Sequence, residues 1–183
     1  MDFSKYNPAK IVLTFILTLG LLSGGRFAYQ EFGVMGPLKK SLASTPVVKE
    51  AVIFSEKNQT VVQIELGKVS SLQASIREIT KLLPMDDGYV LDIEDRRNEY
   101  LTRLWQENRF ALEEAAVRGN LTEMQALLNE NLAQAQLDSW LVEVDEQNLY
   151  LQLQAGDHYL YEIVTRHHYL NKQPIGKVET GRM

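Results

Sequence analysis

Residues 61–94 read VVQIELGKVSSLQASIREITKLLPMDDGYVLDIE, and their changes of period decide the fold. Val62, Ile64 and Leu66 alternate with Gln63 and Glu65, the two-residue period of a half-buried strand. Gly67 closes that strand, and Ser70 or Ser71 then caps a helix on which Leu72, Ile76, Ile79 and Leu83 recur with the 3.6 period. Pro84 stops the helix, because its ring removes an N–H donor and clashes with the preceding turn. Asp86-Asp87-Gly88 turns the chain into Tyr89–Glu94, where Tyr89, Leu91 and Ile93 oppose Val90, Asp92 and Glu94. This third strand is expected to show one face to water.

Working outward, Val47–Phe54 is β-prone and is separated from Val61–Leu66 by the polar turn Glu56-Lys57-Asn58-Gln59, so the first unit reads β-β-α-β. Downstream, Arg97–Arg118 returns to a helical period with Leu101, Leu104, Trp105, Leu112, Ala115 and Ala116 on one stripe, and Gly119 ends it. Asn120 or Leu121-Thr122 opens a second helix carrying Met124, Leu127, Leu128, Leu132 and Ala135. The very short turn between the two makes them an antiparallel αα-hairpin. Trp140–Val144, Leu149–Leu153 and Tyr159–Val164 then form a three-stranded antiparallel meander, turned at 145–148 and 155–157, with one buried and one wetter face. The fold class is α+β.

At the other end, an uncharged run from Ile11 to Gly25 lies between Lys10 and Arg26. With those two charges snorkelling and Tyr29 and Phe32 at an interface, residues 11–32 read as a single transmembrane helix of the signal-anchor kind. A cleaved signal peptide ending at Ser23-Gly24-Gly25 is the rival reading. The expected organisation is therefore a tail at 1–10, the membrane helix at 11–32, a juxtamembrane linker at 33–46, an α+β domain at 47–166 and a mobile tail at 167–183. A short tail ahead of one apolar helix places the domain on the extracytoplasmic side.

Composition excludes several chemistries. The net charge of -5 and the lack of a basic tract give no footprint for nucleic acid. With no cysteine there is no disulfide, thiolate metal site or cysteine nucleophile. No phosphate-cradling glycine loop or nucleophile elbow is present. Asp92 and Glu94 share a strand face and would serve as a cation site or an acid–base pair only if further oxygen ligands joined them. His158, His167 and His168 lack the spacing that puts two ligands on one helix face. Asn58-Gln59-Thr60 and Asn120-Leu121-Thr122 match a glycosylation sequon, with turn and cap positions as their ordinary use. No catalytic, cofactor or metal residue is assigned.

The remaining signal is aromatic. Tyr150, Tyr159 and Tyr161 sit in the meander, where tyrosines either make cross-strand pairs or line an interface. These three are the candidate interface residues. The sequence thus points to a membrane-tethered interaction or assembly module, with the bilayer contacted through 11–32 and a protein partner or a second copy bound by the domain. The alternatives from other classes are a membrane-anchored hydrolase or metal-dependent enzyme using the acidic strand face, and a ligand-sensing extracytoplasmic domain.

Overall fold

A computed structural model describes residues 8–28, 35–56, 59–83, 89–166 and 177–180. The chain divides into two compact units, one up to Lys40 and one from Ser41 onward. The first contains α1 (Pro8–Ala28). Pro8 suits a first helical turn, where its missing N–H is not needed. The described side chains of α1, Val12 to Ser23, are all exposed, and the large apolar ones lie on every side of the helix.

The membrane-spanning helix expected over 11–32 is not supported here: among the described residues, no helix is long and apolar enough to cross a membrane. α2 (Gly36–Ala43) runs across the sequence boundary of the two units, so the expected linker is largely helical, as far as Ala43. Leu42, near its end, is fully buried.

In the second unit, β1 (Val48–Glu56) and β2 (Gln59–Leu66) form the expected antiparallel hairpin. The chain then passes through α3 (Leu72–Leu82) into β3 (Tyr89–Glu94), which lies parallel to β2. Ser71 is the N-cap of α3, its hydroxyl accepting from Ala74 N at 3.0 Å. Leu83 is extended at the other end, the conformation a residue before proline prefers. The Asp86-Asp87-Gly88 turn lies outside the described residues.

Within the segment expected as a tail at 167–183, β7 (Lys177–Thr180) pairs parallel with β3, giving a sheet of order β1-β2-β3-β7. Residues 167–176 and 181–183 lie outside the description. β3 is thereby a central strand, and from Val90 to Ile93 every side chain is buried. Asp92, expected on a wet face, is only 5% exposed.

α4 (Glu99–Arg118) is capped by Asn98, whose side chain accepts from Leu101 N at 2.9 Å. It ends at Gly119 in the left-handed region, φ 75°, where glycine has no Cβ to strain. α5 (Leu121–Leu132) folds back on it. Leu101, Leu104, Leu112, Met124, Leu128 and Leu132 of this hairpin share one core with Leu149, Leu151, Leu153 and Leu160 of the meander. The meander is the antiparallel sheet β4 (Ser139–Val144), β5 (Asn148–Ala155) and β6 (His158–Thr165). Its second face is not the wetter one expected. α3 packs on β4 and β5 from that side, and Tyr150, Tyr159 and Tyr161 are buried there.

Candidate functional site

The second face of the meander receives the connection from β2 to α3, and side chains of the sheet satisfy the backbone groups of that connection in turn. Tyr159 donates to Leu66 O at 2.9 Å. Tyr161 donates to Gly67 O at 2.8 Å and accepts from Val69 N at 3.1 Å. Leu72 N donates to Gln152 Oε1 at 2.9 Å, and Gln73 N to Glu143 Oε2 at 3.0 Å. Ser71 Oγ donates to the other oxygen of Glu143 at 2.7 Å. The first turn of α3 therefore ends on a carboxylate and an amide from the neighbouring sheet. Unpaired N–H groups and the positive end of the helix dipole favour an anion at such a point.

Lys49 completes the junction. Its Nζ donates to Tyr159 Oη at 2.6 Å and to Glu65 Oε1 at 3.3 Å, and it lies 5.2 Å from the centre of the Tyr159 ring. The tyrosine hydroxyl, as acceptor, is the main cause of a raised Lys49 pKa. The Tyr159 and Tyr161 rings are tilted by 32° with centroids 5.3 Å apart, within the range of favourable aromatic pairs. Burial pushes the Tyr161 phenol up to about 12; the nearby Val69 N–H opposes this, and Tyr159 and Asp95 reinforce it.

On the outer side of β6, Arg97 Nη2 donates to Asp95 Oδ2 at 2.7 Å and Arg97 Nη1 to Glu162 Oε1 at 2.8 Å. Asp95 Oδ2 also accepts from Tyr161 N at 2.8 Å, and Tyr159 N donates to Arg96 O at 3.1 Å. The segment after β3 is thus clipped along β6. Burial works against the charge on Arg97, and the two carboxylates outweigh it, so the guanidinium lies above its ordinary pKa.

The three candidate interface tyrosines meet the rest of the domain rather than its surroundings. Tyr150 is 4% exposed, and Tyr159 and Tyr161 are each 2% exposed. Tyr150 donates to Asp145 Oδ2 at 2.7 Å in the β4–β5 turn, and burial, then that carboxylate, raises its pKa. Asp92 and Glu94 do face one another's neighbourhood, but both accept from Gln63 Nε2, at 3.5 and 2.7 Å. No group of three or more His, Asp or Glu residues that would hold a metal ion occurs among the described residues. His158 is half-buried at the start of β6; His167 and His168 lie outside the described residues. A cavity beside Val69, Gln152, Tyr159 and Tyr161 has a volume of about 10 Å³, room for one water rather than a substrate.

Sequence reading missed Glu143, Gln152, Lys49, Arg97 and Glu162 as the residues that join the parts. Their only signal is a polar side chain on a strand or at a strand end, which also describes a solvated face. At the surface, Phe110 on α4 is 76% exposed, with Val117 two turns on, and Leu141 and Val144 stand on the edge strand β4. The chain matches no protein-family model, no curated protein and no solved structure.

Proposed function

We propose that this chain is a membrane-tethered protein-interaction or assembly module, with the apolar N-terminal helix as a single-pass anchor and the α+β domain on the extracytoplasmic side. The observation that carries the reading is α1: from Val12 to Leu22 its large apolar side chains are exposed on all sides. A helix apolar all round is covered by lipid or by protein. As a backbone, the 21 residues of Pro8–Ala28 measure about 31 Å. The uncharged run from Ile11 to Gly25 is short, so the anchor depends on Lys10 and Arg26 reaching the two interfaces. A tether favours weak contacts of the domain, since confinement raises effective concentration towards the millimolar range.

The test is fractionation of cells making the full chain, followed by carbonate extraction and protease protection. The expected result is a chain that stays in the membrane pellet, loses its domain to external protease, and becomes soluble when residues 8–28 are deleted. A full-length chain recovered in the soluble fraction overturns the tether, and a mature chain beginning near Gly25 assigns the segment to a cleaved signal instead.

A further inference from the structure

The four sheet edges of the domain are not alike. β1 carries Lys49, Glu50 and Glu56 and a break in register between Val48 and Glu50, features that discourage a further strand. β7 carries Lys177 and Glu179 in four residues. On β6 the outward groups Tyr159 N and Tyr161 N are bonded to Arg96 O and Asp95 Oδ2, and Tyr161 O accepts from Arg97 at 3.3 Å. β4, with the sequence SWLVEV, has no lysine, arginine or proline. Its one charge, Glu143, is turned inward onto Ser71 and Gln73.

The register shows what β4 offers. Asp145 N donates to Asn148 O at 3.0 Å across the turn, and Val144 pairs with Leu149. By the alternation of antiparallel ladders, Glu143 and Leu141 then direct their backbone groups to β5, while Val142 and Trp140 direct theirs outward. Val144 O is already approached by Gln73 Nε2 at 3.4 Å. Among the described residues, the open stretch is centred on Leu141.

We infer that β4 pairs with β4 of a second copy of this chain, antiparallel about a two-fold axis at Leu141. In that register Trp140 lies opposite Val142 of the other copy, Leu141 opposite Leu141, and Ser139 opposite Glu143. The strand is self-complementary: the pairs are aromatic with β-branched and apolar with apolar, Glu143 stays turned onto Ser71 and Gln73, and no like charges meet. Centring on Val142 instead would set Leu141 against Glu143. Pairing through Trp140 and Val142 gives about four backbone hydrogen bonds, a weak contact that tethering makes effective. This deepens the assembly reading above and rests on it for its biological use.

The chain has no cysteine, so one introduced thiol reports the register. At a non-hydrogen-bonded antiparallel pair the Cα atoms lie about 4.5 Å apart, within the range a disulfide spans. Full-length Leu141→Cys, Val144→Cys and Val52→Cys chains in native membranes are treated with a mild oxidant and run on non-reducing gels. All three positions are 37 to 39% exposed, so the substitutions leave the core intact. The expected result is a disulfide-linked dimer at position 141 formed at least tenfold faster than at position 144 or 52. Equal rates at the three positions, or no dimer at 141, overturn the inference. A membrane-bound chain that does not crosslink at 141 leaves the tether standing, whereas a chain that crosslinks at 141 but does not sediment with membranes overturns the tether alone.

Discussion

Tyr161→Phe isolates the junction between the two sheets, because it keeps the ring and removes one oxygen. That oxygen donates to Gly67 O and accepts from Val69 N, and the Val69 N–H is buried. Two hydrogen bonds are each worth about 1 kcal/mol net, and an orphaned buried donor adds about 1 kcal/mol, so the loss is roughly 3 kcal/mol. For a domain of this size that lowers Tm by about 8 to 12 °C. Tyr159→Phe should lose less, about 1 kcal/mol, since Lys49 is half-exposed and keeps Glu65, and an under-satisfied carbonyl at Leu66 is tolerated better than an orphaned N–H. The assay is urea and thermal denaturation of both variants beside the parent chain, followed by tryptophan fluorescence. A Tyr161→Phe variant within about 0.5 kcal/mol of the parent, or one less destabilised than Tyr159→Phe, would refute the assignment of the junction to these bonds. The same phenol sets an alkaline limit. Its folded pKa lies near 12 and its unfolded value near 10, so its contribution is complete below pH 10 and is lost as pH rises towards 12. Tyr161→Phe should flatten that part of the stability–pH curve.

Arg97→Ala removes the cation from two buried carboxylates, Asp95 and Glu162, and should lower stability by about 3 to 5 kcal/mol at pH 7. Urea denaturation beside the parent chain checks it. A chain starting at Gly36 should melt cooperatively, and one starting at Ser44 should be weaker by about 2 to 4 kcal/mol, because it lacks the fully buried Leu42. Equal stability of the two would remove α2 from the fold. Replacing Asp92 and Glu94 together by Asn and Gln should lower stability by about 1 kcal/mol through the Gln63 bonds, with any cellular role intact. Loss of that role in a normally folded chain would instead move the acidic strand face to the centre of the function.

The local elements were legible because each is written in its own few residues. Val62, Ile64 and Leu66 alternate, Ser71 caps, Gly119 terminates, and the leucines of β5 repeat every second position; each of these marks a feature found in the structure. Burial on the second face of a strand was not legible. Asp92 alternates with Leu91 and Ile93 as a solvent-facing residue would, and only the addition of β7, some 85 residues later, makes β3 central. Polar residues on strands read as wet because in an isolated sheet they are. Here Glu143, Gln152 and Tyr161 face backbone groups that lie 70 to 94 positions away in the chain, and no local pattern announces such a partner.

That placement changes what a binding surface on this domain is made of. Tyrosines are favoured at interfaces because one end is apolar and the other makes hydrogen bonds, and the meander uses both ends internally: the rings stack against each other while the hydroxyls hold Leu66, Gly67 and Val69. A partner therefore meets no aromatic anchor on that face. What the sheet still offers is the backbone of β4, with Trp140 packed on the core beneath and Glu143 committed to α3. Recognition through a strand edge draws its affinity from main-chain hydrogen bonds and its selectivity from the few side chains that alternate beside them. On this reading, substitutions of Tyr150, Tyr159 or Tyr161 weaken association only to the extent that they unfold the domain, whereas a charged residue at Leu141 weakens association and leaves the melting curve of the monomer in place.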